Sequence, residues 1–196
     1  MQLRVHGSHN LIARELLDTD LPSLQLFCDE CSKLGWENNK DFKAIKLDKM
    51  QMPYGKFHVV LDGDKIVSLA GVHKFPEVND KAYRCLFRGA QLPTYTPEFS
   101  MDIYRSGIHF TYLMYMQIML IQSIEPDAEF YVTTNVDNKK AGSSSRLDKT
   151  MAPRIMKRGV FEKPYTMMLY GVEQSIWKVN VPEYLRQRDE FILTLT

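Results

Sequence analysis

The residues best suited to chemistry fall in three clusters. Tyr104, Arg105, Ser106, Gly107 and Ile108 stand where a Pro-containing loop runs into an apolar helix. The first turn of a helix offers unpaired backbone N–H groups and the positive end of its dipole, so such a start can hold an anion. The same residues also read as a plain helix entry, with Ser106 as cap and Gly107 relieving crowding. Gly142 and Ser143-Ser144-Ser145 precede a second helix-like segment, where hydroxyls beside backbone donors can bind a phosphate or a substrate, or simply cap. They are not assigned as nucleophiles, because no His or acid stands in sequence as a partner. In the third cluster Arg84, Arg88 and Arg105 interleave with Tyr83, Phe87, Tyr95, Phe99, Tyr104, Phe110, Tyr112 and Tyr115. That mixture reads mostly as core, and it also suits stacking on an adenine or a nucleic-acid base.

Composition limits the partners. With 25 basic and 24 acidic side chains the net charge is +1 at pH 7, so no global field draws the chain to nucleic acid or to an acidic membrane. An anionic ligand must be held locally. Cys28 and Cys31 form Cys-x-x-Cys within a helix-like segment, but no second Cys-x-x-Cys and no His-x-x-x-His completes a tetrahedron. Core packing is the simpler role, no metal is expected, and three cysteines fit a reduced, cytoplasmic protein. Met-Gln-Leu-Arg-Val-His-Gly lacks the apolar stretch of a secretory signal. The run His109 to Ile124 is too short and too punctuated by His109, Thr111, Gln117 and Gln122 to cross a bilayer, so a buried helix is expected there.

The elements that must position these groups can be read from periodicity. Leu11–Leu16 predicts a first strand, and Asp18-Thr19-Asp20 before Leu21-Pro22 marks a helix start. Leu24, Phe27, Cys28, Cys31 and Leu34 recur at helical spacing up to a stop at Gly35. Asn39–Lys49 is a weaker helix candidate. From Lys56 the period becomes two, and Asp62-Gly63-Asp64 between two β-branched runs signals a hairpin. A third run, Ala82–Gln91, extends the meander before a loop from Pro93 to Arg105. After the apolar helix come a strand over Glu129–Asn135, a helix ending at Gly159, and strands over Tyr165–Gly171 and Ser175–Asn180. Pro182–Phe191 is expected as a final helix, with Tyr184, Leu185 and Arg188 on one side. The whole is expected as one domain over residues 1–196, of which 182–196 form a C-terminal helical extension.

The order of strand, Asn135, helix, Gly159 and then Phe161, with Val160 between, resembles the closing half of the GNAT superfamily of N-acetyltransferases. Set beside the earlier elements, the resemblance covers roughly Leu11 to Asn180. It implies an α+β fold with a mixed, mostly antiparallel central sheet of about seven strands flanked by helices. It also implies acetyl-CoA, or another acyl-CoA, as cofactor, with direct transfer of the acyl group to a small-molecule or peptide amine.

Carried onto this chain, the family's pyrophosphate site falls at Arg105, Ser106, Gly107 and Ile108, with one residue fewer between Arg and Gly than the family pattern has. The pantetheine arm falls between backbone groups of Gln91, Leu92 and Thr94 on one side and Asn135 on the other. The Tyr that many members carry four residues before the closing Gly is replaced by Ile155. Tyr104 and Tyr165 are the substitute acids, and His73 on the third strand is a candidate base, directly or through water. Each also reads as an ordinary packed residue. The rival expectation is a GNAT-like module that binds or assembles without catalysis; Trp177, on a late strand, suits a homodimer interface or the core equally.

Overall fold

A computed structural model describes residues 1–4, 11–33, 56–86, 112–136, 157–169 and 171–193. The chain forms two compact units, the first from Met1–His73 and Phe87–Leu120, the second from Lys74–Leu86 and Ile121–Thr196.

In the first unit four strands pair antiparallel in chain order: β1 (Gln2–Arg4), β2 (Leu11–Glu15), β3 (Lys56–Asp62) and β4 (Lys65–Lys74). The hairpin predicted from Asp62-Gly63-Asp64 is present, closed by the pair Asp62↔Lys65, with Gly63 at φ 57°. That left-handed conformation is what a two-residue hairpin turn demands of its first residue. Helix α1 (Leu21–Lys33) follows a 3-10 turn at Asp18–Asp20. Asp20 fixes this entry, accepting the Leu17 N–H at 2.8 Å and both Arg14 Nη groups at 2.6 and 2.7 Å. The helix buries Leu24, Phe27 and Cys28 against Phe57, Val59, Leu61, Ile66 and Leu69. The Cys28 side chain is buried. The apolar run contains helix α2 (Met114–Gln122), whose Met114, Met116, Gln117 and Ile118 are buried. No helix among the described residues is long and apolar enough to cross a membrane.

The second unit holds β5 (Ala82–Leu86), β6 (Glu129–Asn135), β7 (Tyr165–Leu169) and β8 (Val172–Lys178). β5 and β6 run parallel, β8 lies antiparallel to β6, and β7 lies antiparallel to β8. A parallel pair requires a long crossover, and residues 87–128 with α2 supply it. Gly159, at φ 73°, has the left-handed conformation that glycine adopts after helices, while the helix expected before it lies outside the described residues. Helix α3 (Val181–Leu193) stands where Pro182–Phe191 was expected, with Tyr184 fully buried and the Arg188 guanidinium 5.4 Å from the Tyr184 ring centre.

The architecture is therefore the expected mostly antiparallel α+β sheet with flanking helices, with eight strands among the described residues rather than seven. The extra one is β1, which pairs Gln2, Leu3 and Arg4 with Arg14, Ala13 and Ile12. Three residues are too few for a period of two to show in sequence.

Candidate active site

The parallel pair of the second unit organises the site. Its described register runs from Ala82↔Glu129 through Arg84↔Tyr131 to Cys85↔Val132. β6 continues to Asn135, with Thr133 opposite Ile176 and Asn135 opposite Gln174 on β8. Because side chains alternate along a strand, Arg84, Tyr131, Thr133, Ile176 and Gln174 share one face. The floor of that face is apolar: Phe75, Ala82, Tyr131, Leu169 and Ile176 form one buried cluster. Phe75 meets Tyr131 edge-on at 6.1 Å and lies 5.7 Å beneath the Arg84 guanidinium. Arg84 Nη2 donates to Gln174 Oε1 at 3.1 Å.

The start of the same face carries a satisfied ionic network. Glu129 accepts from Lys178 Nζ at 2.7 Å, from the Tyr131 hydroxyl at 2.7 Å and from Asn79 Nδ2 at 3.0 Å. Those three donors, the lysine foremost, hold the Glu129 carboxyl down at about 2. Tyr131 is pushed well above the ordinary phenol value, first by burial and then by the Glu129 carboxylate. On the opposite face, where Tyr83 pairs with Phe130, Tyr83 donates to Glu125 Oε1 at 2.7 Å while Lys74 Nζ binds Glu125 Oε2 at 2.6 Å. These groups are mutually paired, which suits a structural clamp at the base of the parallel strands.

Of the residues expected to do chemistry, Gln91, Leu92, Thr94, Tyr104, Arg105, Ser106, Gly107 and Ile108 lie outside the described residues, as do Arg88, Ser143, Ser144, Ser145 and Ile155. His73 lies near the end of β4, half-buried, in the first unit. Asn135 closes β6 and Tyr165 opens β7, both in the second unit. They are linked through β8: Asn135 pairs with Gln174, and Tyr165 pairs with Ile176 two residues along the same strand. Tyr165 is 44% exposed, and partial burial raises its hydroxyl above the ordinary value, keeping it protonated and able to donate. Trp177 is 5% exposed and packs 6.0 Å from Phe161, so it belongs to the core rather than to a surface. Thr133 and Gln174 drew no attention in the sequence. A strand threonine and a strand glutamine carry no local signal, and only the register between β5, β6 and β8 puts them beside Arg84.

No protein-family model matches the chain, and no curated protein matches it. Solved structures do. The chain is similar to spermidine N-acetyltransferase from Vibrio cholerae in complex with CoA and spermine, at 14% identity and a TM-score of 0.53 over 91% of this chain and 99% of that one. It is similar to RimL, a ribosomal L7/L12 alpha-N-protein acetyltransferase, in complex with coenzyme A, at 14% identity and a TM-score of 0.51 over 91% and 97% of the two chains. A protein assigned to the GNAT family from Desulfovibrio desulfuricans matches at 13% identity and a TM-score of 0.52, over 87% of this chain and 99% of that one. The parallel β5–β6 pair, the insertion of β8 between β6 and β7, and these similarities over nearly the whole length agree: the chain has the fold of the GNAT acetyltransferases.

Proposed function

We propose that the protein is an acyl-CoA-dependent N-acyltransferase that transfers an acetyl group directly to an amine. The observation that carries this reading is the similarity, over 91% of this chain, to an enzyme fold seen with CoA and a polyamine bound. Fold alone hosts many functions, so the residues must bear the rest. When bound, coenzyme A supplies the activated acyl thioester. β6 remains a strand to Asn135, and its main chain at Thr133–Asn135 is suited to pair with an extended arm as an added strand would. Arg105, Ser106, Gly107 and Ile108 take the pyrophosphate on backbone N–H groups, while Gln91, Leu92 and Thr94 line the other side of the arm. His73 removes a proton from the acceptor ammonium, and the hydroxyl of Tyr165 or Tyr104 returns one to the departing sulfur. The raised value of Tyr165 fits that donor role.

Calorimetry with acetyl-CoA and desulfo-CoA tests the proposal. Micromolar binding is expected, weakened tenfold or more in Arg105→Ala and Asn135→Ala. A folded protein that binds neither compound would instead be a GNAT-like module without this chemistry.

A further inference from the structure

Among the described residues two strands, β1 and β7, have a neighbour on one side only. β1 is three residues long, and a very short edge is one way a native sheet avoids pairing with another chain. β7 carries none of the usual guards. Its residues Tyr165-Thr166-Met167-Met168-Leu169 include no charge and no proline, and the ladder to β8 runs through them without a bulge. Among the described residues no backbone hydrogen bond outside that ladder reaches Tyr165–Leu169. In an antiparallel pair alternate residues turn N–H and C=O to one neighbour, so the rest of the β7 groups point outward. The strand is also open to water: Tyr165 and Thr166 are exposed, and Met168 is 65% exposed. Its side chains divide by face. Met167 and Leu169 turn to the buried cluster around Phe75 and Ile176. Thr166 and Met168 turn the other way, level with Ser175 and Glu173 on β8.

We infer that β7 is a self-association edge, on which a second copy of this chain pairs antiparallel across a two-fold axis. Outward N–H and C=O groups at strand spacing are satisfied by another strand, which sets the chemistry of the partner. Two features select a second copy. Identical edges running in opposite directions match each outward donor with an acceptor, so the contact is self-complementary and closes at two subunits. A strand without charge also opposes no like charges when it meets itself, which is the penalty that charged edges impose. Pro164 and the left-handed Gly171, at φ 77°, bound the run, so the register that uses all five residues is centred on Met167. Thr166 then stands opposite Met168 on both sides of the axis, and the exposed methionine side chains are covered. The inference goes beyond the acyltransferase reading and does not depend on it.

Sedimentation equilibrium and hydrogen exchange, each over a range of protein concentration, test the edge. A monomer–dimer equilibrium is expected, with the β7 amides gaining protection as the dimer fills. Thr166→Lys combined with Met168→Lys sets lysine against lysine in both cross-strand pairs and should raise the dissociation constant about tenfold or more. Both positions are exposed, so this variant should keep the circular dichroism spectrum of the parent. Mixing it with a Thr166→Glu, Met168→Glu protein should restore a dimer containing one copy of each, because opposite charges then meet. A protein that stays monomeric up to its solubility limit would overturn the inference. So would a dimer that the two lysines leave intact, or β7 amides whose exchange ignores concentration.

Discussion

His58 shows how burial alone can set the acid stability of this protein. It sits inside β3 at 3% exposure, its Nδ1 has no hydrogen-bond partner, and burial pushes the imidazole down from 6.5 to about 4. The unfolded chain therefore takes up a proton at a pH where the folded chain does not. The stability due to neutral His58 is complete above pH 6.5 and is lost as pH falls through about 4. Urea melts across that window should show the fall, and His58→Leu should flatten it; parallel curves for the two proteins would refute the assignment. Cys85 illustrates the same physics on a thiol. Fully buried on β5, it is raised to about 12, so it should resist alkylation until the protein unfolds. At this scale the sequence is a partial guide. It located Tyr165 and Asn135 at strand ends, but it could not rank Arg84 above Arg88, because rank depends on what lies across the sheet.

Elements show where sequence reasoning works well. The turn at Gly63, the left-handed glycine at 159 and the strand Glu129–Asn135 are all local statements, written in φ requirements and a period of two, and all three are present. Contacts between elements are not local. Gly71 lies directly across from Phe57 in the β3–β4 ladder, and a Cβ built on it would stand 2.5 Å from the Phe57 ring. Phe57 is itself 8% exposed and packed under α1, so the ring has little room to retreat. Gly71→Ala should therefore cost about 1–3 kcal/mol, the usual range for overpacking, by denaturant melts. A neutral result would mean that the ring does move. The sequence places Gly71 within the second run of the hairpin but carries no sign that the Phe57 ring lies against it. Trp177 is the counterpart: its sequence suited an interface or the core, and Phe161 across the bridge Phe161↔Val179 decides for the core.

For the whole molecule, binding and folding are linked. If coenzyme A holds the native state alone, acetyl-CoA at a hundred times its Kd should add about 2.7 kcal/mol to unfolding stability, and Asn135→Ala should need more ligand for the same shift in melting temperature. A melting temperature indifferent to acetyl-CoA would count against the proposed function. The Glu129 network makes a second global prediction. Its carboxyl is held at about 2 against an ordinary 4.5, so its contribution is present above pH 4.5 and fades as pH falls toward 2. Glu129→Gln should lower stability at neutral pH and reduce the dependence in that acid window. The strand order along the chain, the turns that punctuate it and the family resemblance are legible in the residues alone, because periodicity, capping and glycine placement act over a few residues. That β5 and β6 run parallel with β8 between β6 and β7, bringing Arg84, Thr133 and Gln174 onto one face, emerges from the folded sheet. Residues up to 90 positions apart meet there through backbone register, which no local pattern encodes.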